Sequence, residues 1–130
     1  MNLFPINILP INVSATDIGA IITKTLEKIL ELKSHVNGEY KCVDNIFKFI
    51  IAQDIPVRLK YTQSFDDPLI TEALVNLNGV LTKTYIYIKQ FKEQIHIKCI
   101  DYPRINKAIE VHLNILQLRL NLFEHNKLKI

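Results

Sequence analysis

The sequence predicts an all-α protein, an antiparallel up-down four-helix bundle with an extended N-terminal leader. Apolar residues recur at three- and four-residue spacing in four long segments, and in the second segment this phase continues through a proline. The chain has 130 residues, of which 48% are hydrophobic and 22% charged, as in a single globular domain with a buried core. We expect residues 1–13 to form the leader, residues 14–125 the bundle and residues 126–130 a tail.

The leader differs from the rest of the chain because it carries no charge. Pro5 and Pro10 exclude an ordinary helix and favour extended backbone. Two roles fit this segment. It is either a strap that covers part of the core of the bundle, or an element that detaches and enters a membrane or the groove of a partner.

The first helix is predicted to begin at Ser14, whose hydroxyl group can cap the helix while Asp17 completes a capping box. Asn37 and Gly38 mark its end or a short joint. The apolar positions that share its inner face are Ile18, Ile22, Leu26, Ile29 and Val36.

The second helix is predicted to be kinked or broken at Pro56 and to continue in the same register beyond it. Asp54 falls on the inner face, where Pro56 frees the carbonyl group of Ala52, so this is expected to be the weakest point of the helix. The apolar residues expected on this face are Tyr40, Val43, Phe47, Ile50, Val57 and Tyr61.

The third helix is predicted to start with Asp67 as its cap and Pro68 in the first helical position. Asn78 and Gly79 form a hairpin signal and residues 84–88 alternate as in a strand, so an α+β domain is the alternative. We predict a helix, because the apolar run is longer than a strand pairing needs. In a helix, Gly79 costs about 1 kcal/mol relative to alanine and marks a close helix contact. The inner face comprises Ile70, Leu74, Leu77, Leu81, Tyr85, Ile88, Phe91 and Ile95.

The fourth helix is predicted to open at Pro103, after a linking stretch that could be a turn, a short strand or irregular. Its inward positions are Ile105, Ile109, His112, Leu116, Leu120 and Phe123. Its outward positions include Lys107, Glu110, Gln117 and Arg119.

No combination of residues in the sequence indicates a reaction, so we predict a protein that is not an enzyme and uses no cofactor. His112 is expected to be a core histidine, and His96 with Cys99 supplies too few ligands for a metal site. Cys42 and Cys99 are expected to be buried thiols in a reducing cytosol. The mild net charge of +3, without a dense basic stripe, argues against nucleic acid as a partner.

The basic residues are concentrated in residues 83–107. This stretch holds six basic and two acidic residues, a charge of +4 in a chain of net charge +3. In an antiparallel bundle, the end of the third helix and the start of the fourth meet, which predicts a compact basic patch. That patch is either a solvated polar rim or a site for acidic phospholipid head groups or an acidic partner.

The order of these features resembles a known family. A first helix ending at Asn37, a short joint, Cys42 with an apolar face, a proline-bearing second helix, a long third helix and the closing run of residues 105–122 are similar to the N-terminal four-helix bundle of the mixed lineage kinase domain-like proteins. That bundle is similar to the HeLo and HeLo-like domains of fungal cell-death proteins, and to helical adaptor domains that precede some kinases and immune receptors. The resemblance covers roughly residues 16–123.

The resemblance implies a non-enzymatic signalling domain of regulated cell death such as necroptosis, cytoplasmic until it is recruited to a membrane. A kinase or receptor domain in the parent protein would restrain it, and its release would allow self-association and the binding or permeabilisation of anionic phospholipid membranes. An adaptor that docks proteins and has no membrane activity is the alternative. The head-group contacts implied by position are Lys89, Lys92, Lys98, Arg104 and Lys107. The side chains implied to insert are Leu3, Phe4, Ile6, Ile8 and Leu9.

Overall fold

A computed structural model describes residues 14–36, 41–62, 67–93 and 102–128, and every regular element in these ranges is helical. The all-α prediction is therefore confirmed for the described part of the chain. The leader and the link after the third predicted helix lie outside it. The elements are α1 (Ala15–Glu31), a 3₁₀ turn (Leu32–Ser34), α2 (Lys41–Ala52), α3 (Ile55–Thr62), α4 (Pro68–Lys92) and α5 (Tyr102–Leu128).

Two predicted helix starts are confirmed. The Asp17 backbone N–H donates to Ser14 Oγ at 3.1 Å, and the Ser14 N–H donates to Asp17 Oδ2 at 3.4 Å, which closes the capping box. At the start of α4, the Leu69 N–H donates to Asp67 Oδ1 at 2.8 Å, and Pro68 occupies the first turn, where its missing N–H has no helical partner to lose. Each cap contributes typically about 1 kcal/mol.

The hairpin signal within the third predicted helix does not produce a strand. Asn78 and Gly79 lie inside α4, as do residues 84–88, so the helix prediction is confirmed and the hairpin alternative is wrong for this stretch. Thr25 Oγ1 of α1 donates to Asn78 Oδ1 at 2.9 Å, and Gly79 is buried. The hydrogen bond from α1 to Asn78 and the burial of Gly79 are tertiary interactions that outweigh the local turn preference.

The second predicted helix is broken into α2 and α3, and the prediction of one continuous register is wrong. Asp54 adopts φ of 51°, and its side chain is exposed instead of facing the core. This left-handed residue rotates the following turn, so Ile55 and Leu59 are buried while Val57 is 43% exposed. Pro56 causes the break, because it has no N–H to donate and its ring clashes with the preceding turn.

The helices pack around one shared apolar core. α4 packs against α1 and α5, α2 packs against α5, and α3 packs against α1, so the four predicted segments form a closed ring. Most predicted inner-face residues of α1, α2 and α4 are buried, while Val36 and Tyr85 are partly buried. Tyr40, Ile95 and the Tyr61 side chain lie outside the described part. The largest fully buried side chains are Ile18, Ile22, Ile29, Ile46, Ile55, Ile70, Leu74, Leu77, Leu81, Ile88, Ile109 and Leu113.

The fourth predicted helix is present as α5 and follows its predicted inner face with one addition. Leu113, which the pattern did not place inward, is 2% exposed. Lys107 and Gln117 are exposed as predicted. The core residues of the predicted face are Ile109, Leu116 and Leu120, and the partly buried ones are Ile105, His112 and Phe123.

The prediction of free thiols is wrong for Cys42. This residue lies in α2, is 3% exposed and is disulfide-bonded. The other cysteine of the sequence, Cys99, lies outside the described residues. A reducing cytosol disfavours disulfides, so this bond does not fit the reducing surroundings that the sequence led us to expect.

Candidate interaction surfaces

The outer side of α5 carries a row of apolar side chains, Val111, Ile115, Leu118 and Leu122, which we call the α5 stripe. Their spacing of four, three and four residues places them within a sector of roughly 60° on a helix with 3.6 residues per turn. Leu118 is 62% exposed, Leu122 60% and Val111 40%, while Ile115 is half-buried. The stripe faces away from the buried Leu116. Ile115 packs partly against the core, and the other three side chains are exposed.

Uncharged polar groups border the α5 stripe. Gln117 Nε2 donates to Asn121 Oδ1 at 3.0 Å, and both residues are exposed. Within residues 111–122 the only ionisable side chains are His112 and Arg119. The surroundings of these two residues therefore decide whether the stripe carries charge.

Arg119 is turned towards α4, so its predicted outward position is wrong. Its Nη1 donates to the Leu69 carbonyl oxygen at 2.7 Å, and its Nη2 lies 3.7 Å from Glu72 Oε1. The Arg119 side chain is only 26% exposed, because the first turn of α4 covers it. Leu69, whose carbonyl oxygen accepts this bond, has a side chain that is 57% exposed.

His112 is half-buried against α4, which fits the predicted inward position in part. Burial, and secondly the positive charge of Lys83 on α4, lower the pKa of His112 below its ordinary value of 6.5. Both effects favour the neutral imidazole. The guanidinium group of Arg119 lies beside the carboxylate of Glu72 on α4. The α5 stripe is therefore an apolar surface without unpaired charge.

The predicted head-group residues are only partly covered by the structure. Lys89 Nζ lies 3.7 Å from Glu93 Oε1, Lys107 Nζ lies 3.4 Å from Glu110 Oε1, and Arg104 is exposed. Lys89 and Lys107 therefore each lie beside a carboxylate of their own helical segment. Lys98, the side chain of Lys92 and the predicted inserting residues Leu3, Phe4, Ile6, Ile8 and Leu9 lie outside the described part.

The described residues, 14–36, 41–62, 67–93 and 102–128, offer no other kind of site of the two types considered next. They contain no group of three or more His, Cys, Asp or Glu side chains arranged to hold a metal ion. His96 and Cys99 fall in the link outside these ranges. None of the described helices combines the length and the apolar character that crossing a membrane requires.

Sequence reasoning missed the α5 stripe, although its four-three-four spacing is visible in the printed sequence. The helix α5 has two apolar faces. The pattern identified only the face with Ile109, Leu116 and Leu120, which packs in the core. Comparison with known protein families, curated proteins and solved structures finds no match for this chain.

Proposed function

We propose that this protein is a non-enzymatic helical module that works by docking a protein partner on the outer face of α5. The observation that carries the proposal is the α5 stripe, in which Leu118 and Leu122 are each about 60% exposed one helical turn apart. A leucine so exposed leaves on the order of 100 Å² of apolar surface in water, and covering it is favourable by roughly 2–3 kcal/mol.

Other exposed apolar residues of the described part do not form such a row. Leu30 lies on α1, while Ile51 and Val57 lie on opposite sides of the break between α2 and α3. Single exposed apolar residues are normal on protein surfaces, whereas a continuous row marks an interaction site. The absence of unpaired charge fits the same proposal, because charged residues are depleted at the centre of protein interfaces.

A library of displayed amphipathic helical peptides tests the docking face. We expect peptides selected on the wild-type protein to lose binding to Leu118→Glu and to Leu122→Glu. Ile51→Glu is the matched control, because Ile51 is 53% exposed on α2 and lies outside the stripe. Selected peptides that bind Leu118→Glu as well as the wild type would contradict the proposal.

Membrane binding of the HeLo-like kind is the second candidate, supported by the exposed Arg104 and Lys107 in the first turns of α5. In this proposal a kinase or receptor domain of the parent protein restrains a cytoplasmic module of regulated cell death. Its release lets the leader enter an anionic membrane. The paired carboxylates near Lys89 and Lys107 weaken this candidate relative to protein docking.

Vesicle assays test the membrane candidate. Reversal to Glu of Lys89, Lys92, Lys98 and Arg104 should abolish flotation with anionic vesicles and leave helicity unchanged. Reversal of four exposed lysines elsewhere, Lys24, Lys28, Lys33 and Lys60, is the control for charge alone. Equal binding of the wild type to neutral and anionic vesicles would refute this candidate. Deletion of residues 1–13 should remove vesicle leakage if the leader inserts, and lower the melting temperature if the leader is a strap.

We also propose that α4 and α5 run antiparallel, as in an up-down bundle. Two observations support this direction: Arg119 of α5 contacts Leu69 and Glu72 in the first turns of α4, and the charge of Lys83, further along α4, acts on His112 of α5. As the residue number rises along α4, the number of its partner on α5 falls. Nuclear Overhauser contacts between the last turns of α4 and the first turns of α5 test this arrangement, and contacts between the two C-terminal ends would refute it.

A further inference from the structure

We infer that the partner on the α5 stripe is a second copy of this chain, with the two α5 helices antiparallel about a twofold axis between Ile115 and Leu118. This inference deepens the proposed docking function, because it names the occupant of the same surface. It rests on the spacing of the stripe, its lack of charge and its area.

The spacing of the stripe is symmetric. Intervals of four, three and four residues are the same in both directions along the helix, so a reversed copy presents the same pattern. In that pairing, Val111 lies opposite Leu122 of the second copy and Ile115 lies opposite its Leu118. The smaller side chain of the outer pair, Val111, meets the larger and more exposed Leu122. A twofold dimer requires a self-complementary surface of this kind.

The charges of the stripe permit two copies to approach. Its border carries Gln117 and Asn121, which bind each other within one chain and bring no charge to the interface. Arg119 is held beside Glu72 on α4, and His112 is half-buried there too. Two copies therefore meet along residues 111–122 without opposing like charges.

The area of the stripe indicates the class of interface that it can form. From their exposed fractions, the four side chains present roughly 300 Å² of apolar surface, so two faces bury about 600 Å² of apolar surface. Since somewhat more than half of an ordinary interface is apolar, the total buried area is about 1,000 Å². An interface of this size belongs with the weak, transient ones, so we expect a dimer that forms only at high protein concentration.

Sedimentation equilibrium of the full chain over a range of concentrations tests the dimer. We expect the wild type and Ile51→Glu to form dimers with similar affinity, and Leu118→Glu and Leu122→Glu to lose at least ten-fold in affinity at unchanged helicity. A non-reducing gel excludes dimers linked by a disulfide. A wild type that stays monomeric at 1 mM would overturn the inference, as would a Leu118→Glu dimer of wild-type affinity.

Charge pairs test the antiparallel register. A mixture of Val111→Lys and Leu122→Glu should form a heterodimer, because the two positions face each other across the twofold axis. A mixture of Val111→Lys and Val111→Glu should not, because eleven residues separate the two sites by about 16 Å along the helix. The opposite result would overturn the antiparallel pairing.

The same measurements separate this inference from the proposed docking function and from the leader as occupant. A monomeric wild type that still selects peptides on the α5 stripe would overturn the second copy and leave the docking function in place. The wild type could instead be monomeric and dimerise only when residues 1–13 are removed. That result would overturn the inference that a second copy occupies the stripe in the native protein, and it would identify the leader as the occupant.

Discussion

Replacing Asp54 by alanine and by glycine distinguishes a broken second helix from a continuous one. Asp54 has φ of 51°, in the left-handed region, and its exposed side chain takes no part in the core. Its N–H donates to the Ile51 carbonyl oxygen at 3.2 Å, and its own carbonyl oxygen accepts from Val57 at 3.1 Å and Arg58 at 3.2 Å. One residue therefore both ends α2 and begins α3.

The expected magnitudes follow from this geometry. A residue with a Cβ atom pays roughly 1–2 kcal/mol for left-handed backbone, and glycine avoids this cost. Glycine also makes the unfolded chain more flexible, which offsets about 0.4–1 kcal/mol of the gain. We therefore expect Asp54→Gly to be more stable than Asp54→Ala by about 0.5–1 kcal/mol. In a continuous helix the order is reversed, because alanine is favoured over glycine by about 1 kcal/mol.

Thermal unfolding followed by far-UV circular dichroism measures this difference. At about 4 °C per kcal/mol for a domain of this size, Asp54→Gly should melt about 2–4 °C above Asp54→Ala. Asn45, exposed in the middle of α2, supplies the matched control, because Asn45→Ala should melt about 4 °C above Asn45→Gly. An alanine variant more stable than the glycine variant at both positions would refute the broken helix.

Three further predictions concern the core, the histidine and the disulfide. Leu77→Ala should lower the free energy of unfolding by about 2–5 kcal/mol, because Leu77 is fully buried, whereas Leu69→Ala should have little effect on urea unfolding. The pKa of His112 is lower in the folded protein than in the unfolded chain. As the pH falls below 6.5, His112 is therefore protonated more readily in the unfolded chain, which favours unfolding. Stability should therefore decline from pH 7 towards pH 5 more steeply in the wild type than in His112→Gln, and parallel melting curves would contradict this. Reduction of the disulfide at Cys42 should lower stability by about 2–4 kcal/mol, and a melting temperature unchanged by a reducing agent would show that the bond is absent in solution.

The sequence by itself determined the elements whose causes are local. The cap at Ser14, the start of α4 at Asp67 and Pro68, and the inner faces of α1 and α4 depend on residues within one or two helical turns. Hydrogen bonds at a helix end and the helical period are short-range effects, so the order of residues is enough to predict them. The position of the break near Pro56 was predicted for the same reason.

Only the tertiary structure decided what covers each helix face. The period placed Val57 inward, but a single left-handed residue at Asp54 turned the following helix and buried Leu59 instead. The helical period placed Arg119 outward in solvent, but in the folded protein its guanidinium group contacts Leu69 and Glu72 of α4. The two apolar faces of α5 are alike in sequence, and packing against α2 and α4 covers one while the stripe stays exposed. Which face is buried depends on contacts between residues far apart in the chain, and a periodic pattern along one helix carries no information about them.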